Sequence, residues 1–439
     1  MSGGQQTTFD RLSTGRDANT KVTIVGAGYV GLVTGLCLAD MGSEVTCIDV
    51  VTKKVDMLNA MECPIFEKDL DVLLARNTEA GRFHASPDMD EVASSDVTFI
   101  CVGTPSREDG SLNLQYVLSA AREIGEEIRQ KDEHHIIVVK STVTPGTTEG
   151  MIVPELERSS GKEYGRDFGV AVNPEFLREG DAVRDFNHPD RIVIGSRDQR
   201  SLELLRSLYS SMDAPIIEVT PTAAEMTKLA SNAFLAARIS LMNEIGNICK
   251  TLGVDVRDVA RGVGSDKRIG SDFLRAGCGF GGSCFPKDVR GLAALGRESG
   301  VEPVLLDGIL SVNEAQGARM VGLLEKRMDI KGRNIAILGL AFKPFTDDVR
   351  EAVSKRVAKE LLSHGARVLA HDYRAEQEFR TEFPGIKYCS TPEDCITRSD
   401  AVLILTEWPG YADPSLYGDK LVIDGRGIVH TSNYEGVCW

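Results

Sequence analysis

The chain has 439 residues, more than one hydrophobic core usually holds, so we expect two or three domains. Its composition is 42% hydrophobic and 26% charged, which excludes collagen, a wholly disordered chain and a coiled-coil rod. The formal net charge is −15, so we expect neither nucleic acid nor an anionic membrane surface as a partner. A phosphate-bearing ligand would then require a locally positive pocket.

The N-terminal segment, the cysteines and the histidines indicate where the protein is located and whether it binds a metal. Residues 1–20 are polar and lack the apolar segment of a secretory signal, so they are predicted to be a flexible tail. No run approaches the roughly 20 apolar residues that span a bilayer. The ten cysteines include no CxxC pair, which favours reduced thiols in a cytoplasmic protein. The seven histidines form no HExxH pattern, so no metal site is expected.

The first folded region begins with a βαβ pattern. A β-branched run at 21–25 is followed by the turn GAGYVG, a helical pattern at 32–41 and a strand at 44–50. Further strands are predicted at 97–103, 135–140, 169–172 and 191–194. Strands alternating with helices predict a parallel, doubly wound sheet of the Rossmann type over residues 21–220.

The chain then becomes helical and afterwards returns to an α/β pattern. Residues 222–253 have no proline and are longer than a usual globular helix, which predicts a spine within a central helical domain at 221–325. Four strands follow Arg333 and predict a second Rossmann-like domain at 326–439. SDVTFICVGT (95–104) resembles SDAVLILTEW (399–408), which indicates a structural repeat. The second copy carries Lys343 and Arg350 where the first has its glycine turn, so the two copies are expected to hold different ligands.

The glycine turn predicts a dinucleotide site. Gly26, Gly28 and Gly31 give G-x-G-x-x-G after a strand and at the start of a helix, whose free N–H groups suit a pyrophosphate. Asp49 ends the next strand, where a carboxylate binds ribose hydroxyls and repels a 2′-phosphate. This favours NAD over NADP. FAD, and a packing turn without a cofactor, are the alternatives.

A second motif, GCGFGGSCFPKD (277–288), has the features of a nucleophile site. Four glycines precede Cys284 and would let the backbone approach a ligand closely. If a helix begins near Ser283, both its N-terminus and the nearby Lys287 would favour a thiolate.

Seven motifs in order resemble the UDP-glucose/GDP-mannose dehydrogenase family. They are VGAGYVGL (25–32), VGTP (102–105), STVTPGTT (141–148), NPEFLREG (173–180), EMTKLASNAFLAARISLMNE (225–244), FLRAGCGFGGSCFPKD (273–288) and GLAFKPFTDDVR (339–350). The resemblance implies an enzyme that oxidises the C6 alcohol of a nucleotide sugar to a carboxylate with two NAD+. It also implies a homodimer and polysaccharide precursor biosynthesis.

The resemblance assigns a chemical role to each of six residues. Cys284 would be the nucleophile that carries a thiohemiacetal and then a thioester. Lys228 and Asn232, four residues apart on one helix, would face the reacting C6 oxygen. Asp288, Glu175 and Thr142 would orient the hydrolytic water.

The resemblance also implies two sets of binding residues. The cofactor set is Gly26, Gly28, Tyr29, Val30, Gly31, Asp49, Lys54, Thr104, Thr142, Glu179, Lys287 and Arg350. The substrate set is Glu175, Phe176, Leu177, Arg178, Glu179, Lys228, Asn232, Arg268, Phe273, Leu274, Arg275, Ala276, Gly277, Gly281 and Lys343, with Arg268 reaching across the dimer.

The expected substrate is UDP-glucose, with GDP-mannose as the alternative. Ser283 stands where N-acetylhexosamine relatives usually have histidine beside the cysteine, which disfavours that branch. A two-electron 3-hydroxy-acid dehydrogenase would need no cysteine, and GGSC followed by KD disfavours it. A catalytically idle NAD-binding protein is disfavoured by the intact set of Cys284, Lys228, Asn232 and Asp288.

Overall fold

The computed structural model describes residues 20–439. Of the predicted tail, 1–20, all but the last residue lies outside the described residues. Within the described residues, the chain divides into two compact units. The first ends at Leu229 and the second runs from Ala230 to Trp439, except that the short segment 108–111 belongs to the second. In the described part of the chain, no helix combines the length and the apolar character needed to cross a membrane.

The first unit is built on an eight-stranded sheet in the order β3-β2-β1-β4-β5-β6-β7-β8. Its strands are β1 Lys21–Val25, β2 Glu44–Ile48, β3 Phe83–Ser86, β4 Val97–Ile100, β5 His135–Val139, β6 Phe168–Val172, β7 Ile192–Ser196 and β8 Ile216–Val219. Its helices are α1 Tyr29–Asp40, α2 Thr52–Asn59, α3 Leu70–Glu79, α4 Gln115–Ile128, α5 Val153–Ser160, α6 Ala182–Asn187 and α7 Gln199–Leu208.

The sequence predicted most of this sheet, but the expectation of a wholly parallel sheet was wrong at one place. Strand β7 runs antiparallel to β6, and β8 then pairs parallel to β7. Strands buried on both faces are continuous apolar runs in either orientation, so their sequence does not disclose their direction. The short strands β3 (FHAS) and β8 (IIEV) were not predicted, because neither gives a distinct alternation of apolar and polar residues.

A set of helices follows in the chain. They are α8 Pro221–Leu252, α9 Val256–Gly264, α10 Phe285–Glu298 and α11 Val304–Glu325. Helix α8 has 32 residues, which confirms the predicted spine. It begins with a proline, whose missing N–H costs nothing at a first helical position, and it ends just before Gly253 at φ +69°. The division between the two units falls within this helix.

The second unit contains a six-stranded parallel sheet in the order β11-β10-β9-β12-β13-β14. Its strands are β9 Asn334–Leu338, β10 Arg367–His371, β11 Lys387–Tyr388, β12 Ala401–Ile404, β13 Leu421–Asp424 and β14 Tyr434–Gly436. Its helices are α12 Val353–Ser363, α13 Glu376–Glu382 and α14 Pro392–Thr397. The first six strands of the other sheet have the same order, and β4 and β12 occupy equivalent places. The predicted repeat of two Rossmann-like sheets is therefore confirmed.

Each sheet has a hydrophobic core on both faces. In β9, Ile335 and Ile337 belong to one buried cluster, and Ala336 and Leu338 belong to the other. This is the alternation expected of a strand covered on both sides. Burying each such large aliphatic side chain contributes about 1.5–3 kcal/mol, so the sheets give rigid supports for the loops at their ends.

Candidate active site

The glycine turn of the first sheet has the geometry of a phosphate site. Gly26 follows β1 at φ +108°, a conformation that favours glycine, and a Cβ atom on Gly31 would lie 1.9 Å from the Gly26 carbonyl oxygen. In contrast, no atom lies within 4 Å of the point where Gly28 would carry a Cβ. Gly28 is also the N-cap of α1 and provides no side-chain cap. The free N–H groups of this helix end therefore face space that suits a pyrophosphate.

Asp49 lies next to this turn, at the end of β2. Its carboxylate accepts hydrogen bonds from the backbone N–H groups of Ala27 and Val51, both at 2.9 Å. The ammonium of Lys54 lies 3.3 Å from the same carboxylate. Asp49 thus orders the glycine turn and places a negative charge beside it. These residues fit NAD, since an open helix N-terminus and a carboxylate after β2 suit its pyrophosphate and ribose.

Two loops of the first unit bring further predicted residues together. The Thr104 hydroxyl, after β4, donates to the Thr142 carbonyl, after β5, at 2.8 Å. The N–H of Gly180 is shared by the hydroxyl of Tyr29 at 2.8 Å and the carboxylate of Glu67 at 2.6 Å. Since Gly180 directly follows Glu179, the loop that carries Glu179 is tied to the first residue of α1.

Glu175 and Lys228 form a buried ion pair. The Lys228 Nζ lies 2.7 Å from one Glu175 carboxylate oxygen, and the Leu177 N–H donates to the other, also at 2.7 Å. Only 7% of Glu175 and 4% of Lys228 are exposed. Burial acts to raise the pKa of Glu175, but the Lys228 charge and these hydrogen bonds outweigh it, so the pKa is lowered. The carboxylate is therefore ionised at neutral pH. The Lys228 ammonium also lies 5.6 Å from the centroid of the Phe176 ring.

In the second unit, Cys284 is the N-cap residue of α10, as the sequence predicts. The helix continues from Phe285 with a proline in its first turn. The Cys284 thiol is partly exposed, and the Ser283 hydroxyl lies 3.5 Å from its sulfur. The positive end of a helix dipole favours a negative charge at this position.

One helical turn beyond Cys284, a buried carboxylate holds two of the other predicted residues. Asp288 accepts a hydrogen bond of 2.6 Å from the Asn232 amide of α8, and its other oxygen lies 2.5 Å from the Lys287 ammonium. Both oxygens are engaged and the residue is fully buried. The geometry fits a carboxylate that fixes Asn232 and Lys287, and its predicted role with water stays a prediction.

The glycine-rich loop before Cys284 is held by polar side chains of α8 and α11. The Asn243 side chain accepts from the Gly277 N–H at 2.7 Å, and that of Gln316 donates to the Gly277 carbonyl at 2.6 Å. Asn313 binds both the N–H and the carbonyl of Phe280, at 2.7 and 3.0 Å. These side chains thus satisfy backbone N–H and C=O groups of the loop that no helix or strand satisfies.

Three residues of the predicted substrate set line a cleft in the second unit. They are Arg275, Ala276 and Gly277, and the cleft is also lined by Ile239, Gly279, Glu407 and Arg426. Arg426 follows β13 and donates from Nε to the Leu405 carbonyl at 2.7 Å and from Nη1 to the Gly279 carbonyl at 3.1 Å. The Arg426 Nε also lies 3.3 Å from the Glu407 carboxylate, so the lining carries two guanidinium groups and one carboxylate. The net positive charge of this lining suits a phosphate-bearing ligand.

Three comparisons with known proteins decide the family. The NAD binding, central and UDP binding domains of the UDP-glucose/GDP-mannose dehydrogenase family match residues 20–213, 222–315 and 336–431. The chain belongs to this family. It is therefore an NAD-dependent nucleotide-sugar dehydrogenase, and NAD is its cofactor.

Individual relatives are similar over nearly the whole chain. A UDP-glucose 6-dehydrogenase of Haloferax volcanii is 42% identical over 93% of this chain and 97% of its own length. A GDP-mannose 6-dehydrogenase of Pseudomonas putida is 38% identical over 95% of this chain and 100% of its own length. The solved UDP-glucose dehydrogenase of Pyrobaculum islandicum superposes with a TM-score of 0.93 at 43% identity and covers 96% of this chain and 98% of that one.

Within this family member, several of the predicted binding residues lie at the surface with local partners. Arg178 pairs with Asp185, Arg268 with Asp266 and Arg350 with Asp348, at 2.6, 2.6 and 2.7 Å. The side chains of these arginines are 58%, 88% and 63% exposed. Their roles in binding remain predictions, as does that of Lys343, whose Nζ lies 5.7 Å from the Phe342 ring centroid. The remaining predicted substrate residues, Phe273, Leu274 and Gly281, lie on the glycine-rich loop.

The sequence analysis did not predict the residues whose side chains hold the backbone of the glycine-rich loop. Asn243, Asn313 and Gln316 gave no signal of their own, since each is a single polar residue within a helix. Arg426 could have been noticed, because it stands in DGRG directly after a predicted strand, where ligands bind in α/β sheets.

Proposed function

We propose that this enzyme oxidises the C6 primary alcohol of UDP-glucose to the carboxylate of UDP-glucuronate. The names of the relatives support UDP-glucose, and the cleft that contains Arg275 and Arg426 gives a positive lining for the diphosphate. The observation that carries the chemistry is Cys284 at the start of α10, one turn from the Asp288–Asn232 contact of 2.6 Å. A sulfur nucleophile is what allows an aldehyde to be oxidised further without release.

The first oxidation converts the C6 alcohol into an aldehyde and releases one proton. Lys228 and Asn232 would stabilise the negative charge that develops on the C6 oxygen, by an ammonium and an amide N–H respectively. The short ion pair with Glu175 keeps the Lys228 side chain in place for this role. NAD+, bound at the glycine turn, supplies the chemistry of hydride acceptance in both oxidations.

The second oxidation takes place at C6 while this carbon is bound to the sulfur of Cys284. Its thiolate adds to the aldehyde carbon, a C–S bond forms, and the carbonyl oxygen takes up a proton to give a thiohemiacetal. Loss of hydride and a proton from this adduct gives a thioester. Asn232, fixed by Asp288, would hold the oxygen of both species.

Hydrolysis completes the reaction. Water adds to the thioester carbon, the C–S bond breaks, the thiol is restored and the carboxylate is released with a proton. Glu175, with Thr142 and Asp288, would orient this water, and the lowered pKa of Glu175 leaves it able to accept a hydrogen bond from water.

The test is the stoichiometry of reduced cofactor with a panel of nucleotide sugars. With UDP-glucose we expect two NADH for each sugar consumed and no free aldehyde. Cys284→Ala is the matched control, and it should form no acid while its affinity for NAD stays within about twofold of the wild type, because the glycine turn is a separate structure. One NADH per sugar, or loss of NAD affinity in Cys284→Ala, would contradict the proposal.

GDP-mannose is the second candidate substrate, favoured by the 38% identity to the GDP-mannose enzyme of Pseudomonas putida. It belongs in the same panel, with a UDP-N-acetylhexosamine. A higher kcat/KM for GDP-mannose than for UDP-glucose would transfer the assignment to that substrate and leave the chemistry unchanged.

We also propose that the enzyme is a homodimer in which Arg268 reaches the substrate of the partner subunit. Phe234, Leu241 and Ile248 recur every seven residues on α8 and are 75%, 58% and 55% exposed, which suits a helix that packs on a second copy. Mixing two inactive variants, Arg268→Ala and Cys284→Ala, under exchange conditions should restore about a quarter of the wild-type activity, since half of the dimers then contain one complete site. No recovery despite exchange would exclude the shared site.

The remaining sequence-based assignments stay proposals. We keep residues 21–220 as the NAD-binding domain, 221–325 as the central helical domain with the Cys284 loop, and 326–439 as the nucleotide-sugar domain. We place the enzyme in the cytoplasm, in support of which all ten cysteines, which lie within the described residues, are free thiols.

A further inference from the structure

Lys140 is a buried lysine to which none of the roles above is assigned. It directly follows β5 and is 5% exposed. Its Nζ donates to the Asn173 side-chain oxygen at 2.9 Å, and the Asn173 carbonyl oxygen lies 3.5 Å away. A buried ammonium is costly unless neighbouring groups compensate its charge, so its surroundings are informative.

The orientation of Asn173 is itself fixed. Its side-chain oxygen also accepts the Tyr209 hydroxyl at 2.6 Å, and its side-chain nitrogen donates to the Val193 carbonyl at 2.9 Å. Both side-chain atoms of the amide are therefore engaged, which determines which atom faces Lys140. Asn173, which is only 2% exposed, therefore fixes the position of the Lys140 ammonium.

The same loop carries Glu175, two residues after Asn173. Within the described residues, the ionisable groups that act on Lys140 are Cys101 after β4, Glu175 after β6 and Lys228 on α8. Glu175 and Lys228 form the 2.7 Å ion pair, so one buried carboxylate interacts with two buried ammonium groups. One of these groups belongs to the active site, and the other comes from the sheet.

We propose that Lys140 is a positioning residue for the Lys228–Glu175 pair, whose ammonium, fixed by Asn173, provides a second positive charge beside the buried carboxylate. This inference deepens the proposed function and rests on it. A positive charge favours the deprotonated form of every ionisable group beside it. Lys140 therefore helps to keep Glu175 ionised, and the ionised carboxylate holds the Lys228 ammonium in place.

The charge of Lys140 itself depends on pH in the working range. Burial lowers its pKa to about 8; interactions with Cys101 and Glu175 act to raise it, and that with Lys228 acts to lower it. The ammonium is thus present below about pH 8 and is lost as the pH rises through that value. Lys140 is therefore charged throughout the acidic range of pH in which Glu175 takes up its proton.

The experiment is a pH profile of kcat for the full-length enzyme with saturating UDP-glucose and NAD. Lys140→Met removes the charge but keeps a flexible chain of similar length. The acidic, rising limb of the profile, on which Glu175 loses its proton, should move to higher pH by about one unit, because removal of a positive charge raises the pKa of this carboxyl group. At the acidic end of the profile, where Glu175 is partly protonated, kcat should fall by up to about tenfold, whereas at pH 7 kcat should stay within about twofold and the KM for UDP-glucose within about threefold of the wild type.

Tyr209→Phe is the matched control. It removes a hydrogen bond to the same Asn173 oxygen and changes no charge in this range of pH, so a purely structural role of the network would affect both variants alike. We expect its rising limb to coincide with that of the wild type. Lys140→Gln, which also lacks the charge, should repeat the displacement and serves if Lys140→Met does not fold.

The outcomes separate the inference from the function on which it rests. Wild-type enzyme without activity on any nucleotide sugar would overturn the proposed function. An active wild type with folded Lys140→Met or Lys140→Gln variants whose pH limb coincides with the wild type would overturn the inference alone. A displacement of equal size in Tyr209→Phe would also overturn it, since the effect would then not depend on the charge.

Discussion

The two Rossmann-like sheets share one order over six strands, yet the loops after their central strands differ. In each, the central strand, β1 or β9, is followed by a glycine at positive φ, +108° at Gly26 and +97° at Gly339. In each, an aspartate follows the neighbouring strand and accepts hydrogen bonds from the turn after the central strand. The shared elements are thus those that hold the turn to the sheet.

The difference lies in the chain that joins the central strand to the next helix. In the first sheet only residues 26–28 separate β1 from α1, so the helix N-terminus stands directly at the sheet edge. In the second, residues 339–352 separate β9 from α12. This longer loop carries Lys343 and Arg350, and Phe345 within it is at φ +62°. One topology can therefore offer either a helix dipole or cationic side chains on a loop to a phosphate.

The aspartates that follow β2 and β10, Asp49 and Asp372, differ in how many hydrogen-bond donors surround each carboxylate. Asp49 accepts two backbone N–H groups and lies 3.3 Å from the Lys54 ammonium. Asp372 accepts four backbone N–H groups, from Leu340, Ala341, Arg374 and Ala375, and the Trp408 indole N–H. With five donors around it, Asp372 is occupied by its own chain, whereas Asp49 keeps capacity to bind ribose hydroxyls.

Replacement of each aspartate by alanine gives the largest expected contrast. Asp372→Ala should lower the free energy of unfolding by about 3 kcal/mol, because it leaves buried donors without an acceptor. Asp49→Ala should lower it by about 1 kcal/mol and should narrow the preference for NAD over NADP in kcat/KM by about tenfold. Chemical denaturation and cofactor kinetics measure these effects. Equal loss of stability, or an unchanged cofactor ratio in Asp49→Ala, would remove the distinction between the two sites.

A smaller contrast is expected for the lysines beside the two turns. Lys343→Met should raise the KM for UDP-glucose by up to about tenfold and leave the KM for NAD unchanged, since its loop belongs to the second sheet. Lys54→Met should alter the KM for NAD by less than about fivefold, because Lys54 is partly exposed and its pairing with Asp49 is weak in water. Steady-state kinetics with each substrate varied in turn gives both values. A rise in the KM for NAD in Lys343→Met would mean that the two turns are not specialised as proposed.

The sequence allowed much of the fold to be predicted, and the reason is local. A β-branched run before GAGYVG, a long stretch without proline at 222–253, and a proline in the first turn after Cys284 each define a structure within a few residues. Strand β7 was predicted but its antiparallel direction was not, and the short strands β3, β8, β11 and β14 were not predicted, since direction or presence depends on partners distant in the chain.

The candidate site was likewise predictable where it depends on local sequence and not where it depends on distant residues. Sequence alone identified the residue types that suit the chemistry: a glycine turn for a pyrophosphate, an aspartate for ribose, a cysteine at a helix start, and a lysine and an asparagine one helical turn apart. Only the tertiary structure decided which groups restrain them. Asp288 holds Asn232, Asn313 and Gln316 hold the glycine-rich loop, and Lys140 binds Asn173 on the loop that carries Glu175. Backbone propensities act over a few residues, whereas buried charges and polar groups find their partners across the whole chain, and only the folded sheet brings those partners within hydrogen-bond distance.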